Sequence, residues 1–345
     1  MYSIKNIKLQ CWGRLTHEPN LLYCLEEHTD SFHKVDKLKE MKEGNIWAIG
    51  GGKGGTGKTF LTSSIGIFLA KAGKKVVLID VDIGGANLHS LLGINRPKKS
   101  LTNFFEMGVP LSRLAVNTGV DNMTLITGDV HSLASDSIKF TQKLKLFRHI
   151  VKLNKQYVII DLGGGSHNNT IDTFLMADKR IAVLEPEIIA IENMYHFVKN
   201  ALFRKIRMAL RTYGFKEIVE HMWEQREKHN IKSLKELIES LKESFSYLGD
   251  ILDKELYDFK VYLVLNKIRS SQDILIGSSM KSIFMKYLGI NAQFAGYIEY
   301  DDAVWRSIRE RRPLMLNYSL SRVAKEIGVF TENLLYEREM KISRS

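Results

Sequence analysis

The stretch Gly50-Gly51-Gly52-Lys53-Gly54-Gly55-Thr56-Gly57-Lys58-Thr59 follows the apolar run Ile46-Trp47-Ala48-Ile49 and precedes a helical pattern. Read from Gly52, it fits GxxxxGKT in full. A loop of this kind cradles phosphate. Glycines let successive backbone N–H groups turn inward around anionic oxygens, and a helix starting near Lys58 aims the positive end of its dipole at the same point. Gly52, Gly54, Gly55, Thr56 and Gly57 are therefore the expected cradle. Lys58 is expected to reach the β- and γ-phosphates, and the Thr59 hydroxyl to hold Mg2+.

Working outward, Leu61, Ile65, Phe68 and Leu69 recur at helical spacing up to Gly73, which predicts a helix over 58–72. Val76-Val77-Leu78-Ile79 then reads as a buried parallel strand that runs into Asp80-Val81-Asp82. Strand, glycine loop, helix and strand make a right-handed βαβ unit, and ligands of such sheets bind at the carboxyl ends of the strands, where Asp80 and Asp82 emerge. Tyr157-Val158-Ile159-Ile160 delivers a further acid, Asp161, in the same way.

Other strands are expected at 123–126, 181–184 and 261–265, with Pro186 closing the second. Helices are expected at 101–107, over Ser137–Leu153, and through 217–259, where Leu234, Leu237, Ile238, Leu241, Phe245, Leu248 and Leu252 keep helical spacing. Leu320, Val323, Ile327, Phe330 and Leu334 read as the buried side of a closing helix. The fold class expected is α/β: a doubly wound, mostly parallel sheet flanked by helices, with a helical insertion.

The second lysine of GGKGGTGKT narrows the resemblance. With Lys53 as well as Lys58, the loop resembles the deviant Walker A motif of the MinD/ParA P-loop ATPases, in their MinD-like and FlhG-like branch. That resemblance implies ATP and Mg2+ as ligands, slow hydrolysis, and an ATP-dependent sandwich homodimer in which Lys53 reaches the partner's nucleotide. IDVDIGGANLHSLLG (79–93) resembles the family's switch I, DxDxGxxNLxxLLG. It implies Asp82 as the water-positioning residue and Asp80 beside the Mg2+ shell. Asp161 then takes the Walker B position, also toward Mg2+. Leu162-Gly163-Gly164-Gly165-Ser166 resembles switch II and implies a Gly165 N–H near the γ-phosphate, although the family usually has proline or alanine before the last glycine. Asn266 falls where the family reads the adenine edge, and Arg269 replaces the aspartate of the guanine-reading NKxD pattern. Carried over, the catalytic set is Lys53, Lys58 and Asp82, and the metal set Thr59, Asp80 and Asp161. The implied output is spatial positioning of a flagellum, division site, chromosome or other cargo, with a protein partner or activator.

At 345 residues and 44% hydrophobic content the chain is ample for one large α/β domain with additions. The expected division is an extension at 1–43, the ATPase domain at 44–337 with its insertion at about 204–259, and a polar tail at 338–345. No apolar run is long enough to span a bilayer and no signal sequence opens the chain, which predicts a cytoplasmic protein, peripheral to the inner membrane face or the nucleoid. The formal net charge of +11 favours an anionic partner: DNA, RNA or an acidic membrane surface. Two basic stretches offer themselves. Arg204, Arg207 and Arg211 fall on one helical face, and Arg306, Arg309, Arg311 and Arg312 form a second cluster. Cys11, His17, Cys24 and His28 match no compact CxxC pairing for metal. Two rival readings stand beside the ATPase. One is a non-catalytic nucleotide-gated adaptor; the other is an Mrp-type metal-cluster carrier, which would need a paired-cysteine site.

Overall fold

The computed structural model describes residues 45–82, 85–95, 97–128, 140–211 and 213–340. The expectations for residues 1–43 and for Cys11, His17, Cys24 and His28 lie outside them, as does the tail beyond 340. The described residues divide into two compact units, one of residues 203–258 and one holding the remainder.

The larger unit begins with β1 (Asn45–Gly50), α1 (Lys58–Lys71), β2 (Val76–Asp80), α2 (Leu88–Leu91), α3 (Leu101–Met107), β3 (Val116–Asn117) and β4 (Met123–Ile126). It continues through α4 (Phe140–Val151), β5 (Tyr157–Asp161), α5 (Asn168–Met176), β6 (Lys179–Leu184) and most of α6 (Ile188–Arg211). The described residues form one eight-stranded sheet of order β3-β4-β2-β5-β1-β6, extended by two later strands, β7 (Val261–Ile268) and β8 (Gln293–Glu299). Every pairing is parallel except β3 with β4. The central strands are buried on both faces, as continuous Val/Ile/Leu runs require when helices cover each side of a sheet. This is the doubly wound, mostly parallel architecture expected from the sequence.

Sheet order puts the P-loop strand β1 between β5 and β6, with β2 on the far side of β5. In that register Asp80 is the ladder partner of Asp161, so two acids met 81 residues apart in the chain finish side by side. The core beneath them joins Trp47, Leu78 and Ile159 to Leu61 and Ile65 of α1. The chain then runs through α7 (Lys216–Glu224), α8 (Leu234–Ser244) and α9 (Gly249–Asp258) of the smaller unit before β7. Between β7 and β8 lies α10 (Ser271–Leu288); after β8 come α11 (Asp302–Glu310), α12 (Leu314–Asn317) and α13 (Arg322–Leu335). Val323, Ile327, Phe330 and Leu334 bury α13 as expected. Leu320 does not join them: it precedes the N-cap Ser321 and is 87% exposed.

In the smaller unit, Leu234, Leu237, Ile238 and Leu241 share the buried stripe of α8, whose Ser233 cap accepts a hydrogen bond from the Glu236 N–H at 3.2 Å. Phe215 meets Phe245 edge-on at 4.8 Å and Tyr247 at 5.7 Å. The basic run at the end of α6 is not the open cationic face that its spacing suggested. Lys205 pairs with Glu255, Arg207 pairs with Glu220, and Arg204, Arg207 and Arg211 are all partly buried. Acids from later helices pair with Lys205 and Arg207.

Candidate nucleotide site

β1 ends at Gly50 and the loop that follows turns on two left-handed residues, Gly55 at φ 81° and Gly57 at φ 89°. A side chain at Gly57 would also collide with Asn266, whose Nδ2 lies 2.2 Å from the position of a Cβ. Only glycine satisfies both conditions there. The turn leaves Gly54 and Gly55 exposed and buries Thr56, whose hydroxyl, 2% exposed as a residue, has no hydrogen-bond partner among the described residues. It also places the first free N–H groups of α1 at the mouth of the loop. Lys58, the first residue of α1, folds its ammonium back to the Lys53 carbonyl at 2.9 Å. Burial lowers its pKa, against the opposing pull of Asp161, Asp82 and Glu185.

Behind the loop, Asp80 and Asp161 are almost fully buried, and that burial raises the pKa of both carboxyls. Asp80 accepts backbone N–H bonds from Asp82 and Leu88, each at 3.1 Å, and so shapes the turn into α2. Asp161 is hydrogen-bonded by the Thr59 side chain. The Thr62 hydroxyl lies 3.1 Å from its Oδ1 and 3.0 Å from the Lys58 carbonyl. Two buried carboxylates and one hydroxyl, facing a phosphate cradle, are the hard oxygen donors that suit Mg2+ shared with phosphates. The orphaned Thr56 hydroxyl fits an anion in the same cradle.

Asp82 is half-buried at the exit of β2, its pKa raised by burial and held down by Lys58. Switch II crosses directly over it. A Cβ on Gly163 would come within 2.7 Å of Asp82 Oδ1, and one on Gly164 within 2.8 Å of the Gly54 backbone nitrogen. Gly165 donates its N–H to the Gly51 carbonyl at 3.3 Å and takes φ 93°. The triple glycine is here a condition of close approach to the Asp82 carboxylate and to the P-loop backbone.

Lys53 points out of the loop to Glu187, 2.9 Å from its Oε2. That hydrogen bond raises the lysine's pKa and lowers the glutamate's. Asn266, 4% exposed, donates its amide N–H to the Thr56 carbonyl at 2.8 Å, so in this conformation it supports the loop from below. Next to it, Lys267 adopts φ 59° and bridges the Gly55 carbonyl at 2.9 Å and Glu185 at 2.7 Å. Neither Lys267 nor the Glu185/Glu187 pair carried a site role in the sequence reading. Their signal was the acid-Pro-acid turn Glu185-Pro186-Glu187 facing a lysine-bearing loop, which no local pattern connects. All the expected site residues, from Gly52 to Thr59 together with Asp80, Asp82, Asp161, Gly165 and Asn266, converge on the carboxyl ends of β1, β2, β5 and β7.

The model of the CobQ/CobB/MinD/ParA nucleotide binding domain matches residues 47–314. A putative septum site-determining protein MinD of Tupiella akineta is 31% identical over 176 residues, covering 49% of this chain and 56% of that protein. The chain thus spans about half the length of the curated relatives it matches. Among solved structures, the MinC:MinD cell division complex of Aquifex aeolicus aligns with TM-score 0.59 and 20% identity, over 87% of this chain and 98% of that one. Pyrococcus horikoshii MinD complexed with Mg-ADP aligns with TM-score 0.56 and 18% identity, over 86% and 99%. The structural likeness concerns the fold. Taken with the domain match over most of the sequence, it is clear that the chain belongs to the CobQ/CobB/MinD/ParA nucleotide-binding family.

Proposed function

We propose that the chain binds ATP with Mg2+, hydrolyses it slowly, and uses nucleotide state to switch between monomer and sandwich dimer. The observation that carries this reading is the meeting of Asp82 with the switch II glycines beside a cradle that presents both Lys53 and Lys58. Gly52 to Thr59 enclose the phosphates, with Lys58 reaching the β- and γ-oxygens and Lys53 turning to the partner's nucleotide. Thr59, Asp80 and Asp161 hold Mg2+, which neutralises charge on the phosphate oxygens when bound. Asp82 orients the attacking water through its carboxylate, Gly165 offers an N–H to the γ-phosphate, and the Asn266 amide reads the adenine edge.

In this reading residues 44–337 form the ATPase domain with its helical insertion at about 204–259, 1–43 an extension and 338–345 a tail. The output is positional, acting on a flagellum, division site, chromosome or other cargo through a protein partner and an anionic surface, from the cytoplasm. The MinC:MinD complex among the structural neighbours supports the partner-binding part of the proposal. Among the described residues no helix is long and apolar enough to cross a membrane. The test is molecular mass in solution with ADP and with ATP, on an Asp82→Ala protein expected to turn over far more slowly, alongside phosphate release by the wild type. A dimer found only with ATP is expected; a monomer in both states would overturn the sandwich role of Lys53.

A further inference from the structure

β7 does not leave the sheet as a regular strand. From Leu265 to Ile268 it advances three residues while its neighbour β8 advances two, from Tyr297 to Glu299. The extra residue is accommodated at Lys267, which takes φ 59°. That left-handed conformation costs free energy for a residue with a side chain, and it persists where the surroundings hold it. A bulge of this kind re-aims side chains. In an unbroken strand Asn266 and Lys267 would point to opposite faces of the sheet. Here both reach the P-loop, and they take successive carbonyls: the Asn266 amide donates to Thr56 at 2.8 Å and the Lys267 ammonium to Gly55 at 2.9 Å.

The consequence follows from the geometry of the peptide bond. In a trans peptide the C=O and the N–H of the next residue point in opposite directions across one rigid plane. Drawing the Gly55 carbonyl toward β7 therefore turns the Thr56 N–H away from β7, and drawing the Thr56 carbonyl does the same for the Gly57 N–H. Lys58 acts likewise on the Lys53 carbonyl, at 2.9 Å, and so orients the Gly54 N–H. Gly55 and Gly57 have no Cβ to restrain these planes, so side chains from outside the loop set them.

We infer that Lys267 is a positioning residue of the phosphate cradle: it fixes the peptide plane between Gly55 and Thr56 with its N–H turned to an anion, and Glu185 holds Lys267 in place. The Glu185 carboxylate lies 2.7 Å from the ammonium. It is buried and the lysine is exposed, so the acid is the fixed end of the pair and the lysine its arm. Register puts the acid there, because Leu184 is the ladder partner of Leu265 and Glu185 leaves β6 alongside the bulge. The same turn carries Glu187, the partner of Lys53, so one acid-Pro-acid turn steadies the P-loop through two lysines. This role rests on the nucleotide reading of the cradle and deepens it: Lys267 adjoins Asn266 in sequence, yet acts on the phosphates through the backbone and not on the base.

The test is titration of the full chain with Mg-ATP and with inorganic tripolyphosphate, which offers phosphates without a base. It compares the wild type, Lys267→Met and Lys267→Met/Glu185→Gln, with melting temperatures recorded on the same samples. Lys267→Met keeps the apolar stem and removes the ammonium. Affinity for both probes is expected to fall by the same factor, about tenfold, the usual effect of losing a hydrogen bond from a charged group. The single variant also takes from the buried Glu185 its paired cation and melts lower. The double variant removes that charge, and is expected to recover melting temperature without recovering affinity. A loss confined to ATP, with tripolyphosphate binding unchanged, overturns the inference and assigns Lys267 to the base. Unchanged affinity for both probes overturns it too, as does affinity that returns with the melting temperature in the double variant, the mark of a merely structural pair. A wild type that binds neither probe overturns the nucleotide reading and this role with it, an outcome distinct from a wild type that binds while Lys267→Met binds equally well.

Discussion

The ammonium of Lys53 and the carboxylate of Glu187 are 2.9 Å apart, joined across 134 residues at the mouth of the phosphate cradle. The pair ties the residue that distinguishes this P-loop to the turn after β6. Any state in which Lys53 contacts another protomer's nucleotide requires that this bond first be broken.

Replacing Glu187 with alanine removes that competition. The ion pair is exposed, and such pairs contribute little. The expected effect is therefore modest: on an Asp82→Ala background, the protein concentration at half-dimerisation with ATP falls about two- to fivefold. Sedimentation velocity with ATP measures it. A rise in that midpoint would show that Glu187 belongs to the dimer contact itself.

Asp82→Ala separates binding from chemistry. Asp82 sits at the exit of β2 against Gly163, and in the proposed function it orients the attacking water. Turnover is expected to fall by about 10²- to 10⁴-fold, the usual worth of a positioned acid or base, while ATP affinity stays within about threefold. Lys58→Ala, which removes the cation at the cradle, is expected to lose ATP binding instead. Phosphate release and fluorescent-nucleotide titration distinguish the two, and equal losses of binding in both variants would reassign Asp82 to the ligand cradle.

The adjacent switch II glycines predict different defects. In Gly163→Ala the new methyl meets the end of a side chain, Asp82 Oδ1, which can turn away. Hydrolysis is expected to drop with ATP affinity retained. In Gly164→Ala the methyl meets the backbone of Gly54, which cannot move without deforming the cradle. ATP affinity itself is expected to fall by about tenfold or more, a loss of at least about 1.4 kcal/mol. Isothermal titration of the two variants tests the contrast; identical affinities would mean that switch II stands clear of the P-loop in solution.

What could be read from the sequence was local. GxxxxGKT after a buried strand specifies its own geometry, because φ above zero at Gly55 and Gly57 and the helix start at Lys58 need no distant residue. Leu101–Met107 and Met123–Ile126 likewise carry their own periodicity. The family motifs added Asp80, Asp82 and Asp161. Pairings that only the tertiary fold creates were not legible: Lys267 with Gly55 across 212 residues, Lys53 with Glu187, and Lys205 with Glu255. The helical spacing of Arg204, Arg207 and Arg211 showed a common face but not the acids brought against it. Leu320 fitted the register of the buried stripe of α13, yet the helix begins two residues later at Arg322, so its register does not apply.

The ion pair between Lys143 of α4 and Asp172 of α5 was equally hidden in the sequence, and it sets the anchoring of the helix that leaves switch II. Asp172 is fully buried and the Lys143 side chain nearly so. A charge in that position is tolerated because its counter-ion is there: removing one member takes the counter-ion from a buried charge in a medium that solvates it poorly, whereas replacing both by apolar groups of similar size does not. Asp172→Ala is therefore expected to lower stability by about 3–5 kcal/mol, and Lys143→Met/Asp172→Leu to recover most of that loss. Urea unfolding at unchanged m-value measures both. Because α5 begins at Asn168, two residues beyond Ser166, the single variant is also expected to weaken hydrolysis more than ATP binding, and the apolar double variant to restore it. A single variant costing less than about 1 kcal/mol would show that water reaches the pair, and that α5 is held by Ile171 and Phe174 instead.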